Sequence, residues 1–196
     1  MGVSLAWVGV QATSAHDIHA ILGLTEAGPS GHFLDFALSG FALASGWHLI
    51  VAKPCDHAIR SDRVLAALSS QTSVVACSVE EHVMFMSAES WRGSEQVWDV
   101  KHRGGDFGDS DLVVIGAPPD PFEDLRFRCL SAQESAIRSG LSVDHVADIP
   151  LELARSIVGF RHDVTNPGID ERTFQALRAD PAGLLAQAAR PWWKFW

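Results

Sequence analysis

The sequence has no G-x-S-x-G elbow, no H-E-x-x-H helix, no Walker A loop and no G-x-G-x-x-G turn. Each absence removes a class of chemistry: an elbow nucleophile, a zincin-type metal site, a phosphate-cradling loop and a dinucleotide fold. Cysteine is scarce. Cys55, Cys77 and Cys129 are odd in number and widely spaced, with no C-x-x-C pair, so neither a disulfide framework nor a zinc knuckle is indicated. Read plainly, each is a small buried hydrophobe in a reducing compartment. Positive charge is also in short supply: 15 Lys and Arg stand against 24 Asp and Glu, a formal net charge of −9. Nucleic-acid affinity comes from neutralising phosphates, so nucleic acid is not an expected partner.

Long apolar runs are missing too. The stretch Phe36 to Ala52 carries no Asp, Glu, Lys or Arg, but Ser39, Gly40, Ser45, Gly46 and His48 break it, and two buried strands account for it better than a membrane span. No Lys or Arg precedes the first apolar run, which is short and strand-like, so a signal peptide is not expected. The myristoylation pattern fails because position 6 is Ala6. A cytoplasmic protein with no membrane partner is the expectation.

What is present is material for a core. Hydrophobic residues make up 47% of the 196 positions and charged residues 20%, which suits one domain or one domain with a helical appendage. Ser4 to Gln11 reads as a strand, and Ser14 with Asp17 caps a helix that Gly23 ends. His32 to Leu38 and Trp47 to Pro54 read as strands, Ser61 to Ser69 as a short helix, and Ser73 to Trp91 as one bent strand or two. The order β-α-β-β-α-β predicts an α+β fold, ferredoxin-like or related, with helices on one face of an antiparallel sheet.

A hairpin turning at Gly93-Ser94 extends that sheet. Trp98, Val100 and His102 alternate with Asp99 and Lys101, which predicts one wet face, and Leu112 to Ala117 supplies a further strand. After Pro118-Pro119 the character turns helical. One helix has Asp120 as N-cap and Gly140 as stop, and another opens at Asp148. Ile169 to Ala179 is counted with the helices, and a last short one starts at Asp180-Pro181. The division is thus 1–118, an α+β sheet domain, and 119–196, a helical region packed on it as one globular unit.

Candidate chemistry is thin. In Glu80-Glu81-His82, alternation puts Glu80 and His82 on one strand face and Glu81 on the other, with Glu89 on Glu81's side. A Glu/His pair at that spacing suits acid–base work or a metal, yet no second pair completes a site, and charges guarding a strand edge account for it better. His16 and His19 have helical i, i+3 spacing, which a zinc ion accepts, but Asp17 between them serves the helix dipole and solvated histidines are the simpler reading. Asp144-His145 and His162-Asp163 are neighbours in sequence and so point apart. No catalytic residue, metal or cofactor is assigned.

Two features point to protein contact. The loop Gly104 to Asp111 carries Asp106, Asp109 and Asp111, without the order of an EF-hand, and would draw a basic partner together with Glu80 and Glu81. The chain also ends on RPWWKFW, which places Trp192, Trp193 and Trp196 among its last residues. Such a terminus folds back on its own core, docks on a partner, or lies in a membrane interface, and the net charge opposes the last. In general character (small, acidic, poor in motifs) the chain is similar to immunity proteins that neutralise bacterial toxins, a likeness resting on no residue pattern. It implies a non-enzymatic protein-binding module with an acidic contact surface. The alternatives are an enzyme assembled from Glu80, His82 and His102, and a self-associating protein that forms a homo-oligomer through its aromatic end.

Overall fold

The computed structural model describes residues 2–11, 14–180 and 183, with all their side chains except that of Asp106. In chain order the elements are β1 (Ser4–Gln11), α1 (Ala15–Leu22), β2 (Leu24–Gly31), β3 (Leu38–Ala42), β4 (Trp47–Ala52), α2 (Asp62–Leu68) and β5 (Ser73–Glu80). There follow β6 (Phe85–Arg92), β7 (Glu95–His102), β8 (Val113–Gly116), α3 (Phe122–Arg138), α4 (Asp148–Val158) and β9 (Phe174–Ala179). The nine strands form one antiparallel sheet in the order β2-β9-β3-β4-β1-β5-β6-β7-β8. The fold is mixed α+β, with four α-helices among the described residues.

Local chemistry sets most boundaries. Ser14 accepts from the His16 N–H to cap α1, and Gly23 ends that helix in the left-handed conformation at φ 65°. Ser61 accepts from the Val64 N–H at the start of α2. Gly93 and Ser94 both have positive φ, 60° and 66°, the geometry of a two-residue hairpin turn between β6 and β7. The first residue of α4 is Asp148, yet its cap comes from upstream: Asp144 Oδ1 accepts from the Val146 and Ala147 N–H groups at 3.1 Å each.

Side chains alternate across the sheet, so it has two different faces. One carries Leu5, Trp7, Leu49, Val51, Val75, Cys77, Val79, Met86, Ala88 and Val100, and packs with Ile149, Leu153 and Val158 of α4 and Phe122 and Leu125 of α3. A cluster of rings closes its far end: Phe160 meets Trp7 at 5.7 Å and Phe33 at 5.6 Å, both edge to face, and Phe174 stacks on Phe41 at 4.9 Å. The other face carries Val8, Val10, Ile50, Ala52, Val74 and Ala76 beneath Ile18 and Leu22 of α1 and Val64, Leu65 and Leu68 of α2.

Four sequence expectations are corrected here. Phe174–Ala179 is a strand lying between β2 and β3, not part of a helical region, so the chain beyond 119 is not wholly helical. Its six residues have no helix-length periodicity, and pairing with two neighbours decides its form. His32 to Leu38 is a helical turn at Phe33–Asp35 leading into β3, while the strand before it is Leu24–Gly31. Gly28 and Pro29 disguise that strand, which tolerates them because it is an edge with a register shift between Glu26 and Ser30. The predicted wet face of β7 is buried: Asp99 is 2% exposed, because Lys101 and the neighbouring ionic cluster take up its charge. Finally, Glu89 shares the face of Glu80, not of Glu81. The turn Glu81–Met84 reverses the chain, and the register Glu80↔Phe85, Ser78↔Ser87, Ala76↔Glu89 sets the parity.

The last short helix expected from Asp180-Pro181, and Trp192, Trp193 and Trp196, lie outside the described residues.

Candidate functional site

Strands β5 to β8 are joined by successive hairpins, so alternate connections gather at one end of the sheet. The turn Glu81–Met84 and the loop after His102 are neighbours there, through the registers Glu80↔Phe85, Met86↔His102 and Lys101↔Val113. Gly104 makes the close approach, since at φ 52° a Cβ on it would meet the Met84 carbonyl at 2.5 Å. The N-terminal end of α4 and the segment Arg161–Asp163 border the same end, around a cavity of about 410 Å³ lined in part by Gly2, Glu81, Met86, Asp148, Arg161 and His162.

Carboxylates dominate this end. Glu81 accepts from the Val3 N–H at 2.7 Å, and its other oxygen is 3.5 Å from His162 Nε2. One guanidinium, that of Arg161, serves three acids: Asp163 by two bonds of 2.6 and 2.8 Å, Asp148 at 2.6 Å and Glu152 at 2.8 Å. Burial works against that guanidinium's charge, but its bonds to Asp163 and Asp148 hold its pKa above even the ordinary arginine value. Glu81, Asp148, Glu152 and Asp163 keep 33%, 42%, 32% and 36% of their side-chain surface exposed, so the negative potential reaches solvent. His162 adds no positive charge. Burial holds it below the usual histidine range despite the pull of Asp163 and Glu81, and neither ring nitrogen makes a hydrogen bond.

A second pair lies beneath. His102 is fully buried, with Nε2 at 2.8 Å from Asp144 Oδ2 and Nδ1 at 2.7 Å from the Asp111 carbonyl. Both neighbours are acceptors, so both ring nitrogens donate and the ring is an imidazolium facing an ionised Asp144. Burial opposes that charge, but the bonds to Asp144 and Asp111 outweigh it and raise the His102 pKa.

The predicted contact residues are brought together only in part. Glu81 sits at the acidic cavity, and Asp109 is exposed on the loop that follows β7. Asp111 is at the same end but engaged, its two oxygens taking Arg103 Nε at 2.9 Å and Nη2 at 2.8 Å. The side chain of Asp106 is outside what is described. Glu80 faces the opposite side of the sheet, where it accepts from the Cys55 thiol at 3.4 Å and is bonded to His82. Since Phe85 and Met86 are consecutive in β6, their partners Glu80 and His102 are on opposite faces, and Glu80, His82 and His102 do not form one reaction centre.

Asp144, Asp148, Glu152, Arg161 and Asp163 were missed as site residues. The only sequence signals were Asp148 as a helix start and two acidic–histidine neighbours, and Asp144 in fact pairs with His102, 42 residues away, rather than with His145. Cys55 and Cys77 are poor nucleophiles, since burial pushes their thiols up to about 11 and about 12. Among the described residues no group of three or more His, Cys, Asp or Glu is arranged to hold a metal ion, and no helix is long and apolar enough to cross a membrane. No protein-family model matches this chain, and no curated protein or solved structure is significantly similar to it.

Proposed function

We propose that the chain is a non-enzymatic protein-binding module that takes a basic partner at the acidic end of its sheet, as an immunity-type protein neutralising a toxin would. One observation carries the reading: Glu81, Asp148 and Asp163 line, partly exposed, a cavity in which Arg161 is the only strong cation among the described lining residues, with Glu152 beside them shared between Arg161 and Arg155. Such a surface speeds encounter with a basic protein and makes the association sensitive to salt. The buried His102 and the high-pKa thiols support a contact surface over a reaction centre. Three free thiols suit a reducing compartment, and we place the protein in the cytoplasm. We also read β3-β4-β1-β5, with α1 and α2 over one face, as a ferredoxin-like unit. The antiparallel β3-β4, β4-β1 and β1-β5 pairings support that reading.

The test is co-expression with the product of the adjacent gene, followed by titration at low and high salt. The expected result is a complex that weakens at least about tenfold between 50 and 500 mM salt and is weakened further by Asp148→Asn with Asp163→Asn. A complex indifferent to both salt and these substitutions, or no complex at all, removes the reading.

A further inference from the structure

On the opposite side of the sheet from the acidic cavity, a second cavity of about 400 Å³ opens between the ends of β1, β5 and β6 and the segment Pro54–Arg60. Its volume falls among small-molecule sites, which run from about 300 to 1,000 Å³. Much of its wall is apolar, from Pro54, Val83 and Phe85. Its charges are arranged asymmetrically. Arg60 lies in the lining with only 8% of its side chain exposed, its Nε donating to Ser78 Oγ at 2.8 Å and its Nη1 paired with the buried Glu89. Its charge is therefore cancelled from within the sheet and is not offered to a ligand. The carboxylates of Glu80 and Asp56 also line the cavity, and among the described residues no second arginine or lysine does.

The Cys55 thiol reports the resulting field. Burial raises it most, and the negative charges of Glu80 and Asp56 push it the same way, to about 11. Glu80 itself is an ionised carboxylate at neutral pH. Burial opposes that, but hydrogen bonds from Ser4, His82 and Cys55 outweigh it and lower its pKa. An anionic ligand would meet two carboxylates and, among the described lining residues, no arginine or lysine beyond the Arg60 already paired with Glu89, and a protonated thiol makes no covalent adduct readily.

We propose that this cavity binds a small molecule bearing one ammonium group on an apolar body, with the ammonium at Glu80 and Asp56 and the body against Phe85, Val83 and Pro54. The site lies on the other face of the sheet from the acidic cavity and does not depend on the protein-binding reading.

Calorimetric titration at pH 7 with 2-phenylethylamine, 2-phenylethanol and 3-phenylpropionate tests it, with amide shifts in a ¹⁵N-labelled sample locating the ligand. The amine is expected to saturate, with shifts centred on Cys55, Ser78 and Phe85. The alcohol should bind at least about tenfold more weakly, and the propionate not at all. Glu80→Gln, which keeps an acceptor for Cys55, should weaken the amine about tenfold. Asp56→Asn should weaken it less, and it supplies the test if the first variant melts early. Equal binding of amine and propionate, shifts centred on Glu81 and Asp163 instead, or no saturation by about 10 mM overturns the proposal.

Discussion

The two faces of the sheet are built from the same strands and solve burial differently. Beneath α3 and α4 the face is apolar from Leu5 to Val100, and it ends in the rings of Trp7, Phe33, Phe160 and Phe174. Beneath α1 and α2 the apolar half stops at Ala76 and Trp91, and the surface beyond is ionic: Arg60, Ser78, Ser87, Glu89, Asp99 and Lys101. The first face is held by area and shape, so damage scales with the volume removed. The second is held by mutual satisfaction, so damage depends on which partner is left alone. An ionic half-face also leaves room beside it, and the cavity at Cys55 lies there.

The largest expected effect is on the apolar face. Phe160→Ala removes a fully buried ring that two other aromatics meet edge to face, and should cost about 3–5 kcal/mol in a denaturant titration. A loss under about 1 kcal/mol would mean that this core collapses around the gap and the contrast between faces is overstated. On the ionic face, Glu89→Ala leaves Arg60 with two serines and strands the Trp91 Nε1–H that Glu89 accepts at 2.9 Å. The expected cost is about 3 kcal/mol or more. Replacing both partners, Arg60→Met with Glu89→Met, should cost less than the single change, because two apolar chains leave no charge unpaired. If the double replacement costs as much as the sum of the singles, Arg60 and Glu89 do not couple and this half-face is not held by their pairing.

Local chemistry made the first half legible, and long-range pairing hid the rest. Ser14, Gly23, Ser61 and the Gly93-Ser94 turn act on residues within four positions, so their roles could be read directly. The strand Phe174–Ala179 could not, because its conformation follows from the gap between β2 and β3 that it fills. Asp99 carries a charge in an alternating strand and so looks solvated; only Lys101, paired with it, and the nearby Arg60 make its burial tolerable, against the like charge of Glu89 opposite. Burial still raises the Asp99 carboxyl, against the pull of Lys101. At the candidate site Glu81 was legible as an acid interrupting an apolar run. The Arg161 cluster was not, since Asp148, Glu152 and Asp163 meet only after α4 has formed and the chain has turned at Gly159.

The His102–Asp144 pair puts a charge on the otherwise apolar face, and pH probes it. The His102 pKa is raised in the fold, so its contribution is complete below the unfolded value near 6.5 and is lost as pH rises through the folded value. Asp144 is lowered: burial would raise it, but His102 and the Ala147 and Val146 N–H groups prevail. Its share holds above the ordinary aspartate value and fails as pH falls through the lowered one. His19, His57 and His162, each held down by burial, tilt stability the other way over part of this range. The measurement is therefore the difference between wild type and His102→Gln in melting temperature from pH 5 to 9. That difference should shrink as pH rises, and a gap that is constant or widens means the ring is neutral in the fold.

The smallest expected effect separates strong from decorative members of the ionic face. Ser87 Oγ accepts from Arg60 Nη2 at 3.4 Å, beyond the usual N–H···O range, while Ser78 Oγ accepts from Nε at 2.8 Å and itself donates to the Cys55 carbonyl at 3.2 Å. Ser87→Ala should fall within about 0.5 kcal/mol of wild type, and Ser78→Ala should cost about 1 kcal/mol or more because it also frees a carbonyl. If the two serines prove equal, Arg60 is held by Glu89 alone and the hydroxyls merely fill space. The guanidinium would then be free to turn toward the cavity beside it, and the asymmetry between an Arg60 paired with a buried carboxylate and a Glu80 whose partners are His82 and two neutral groups would disappear.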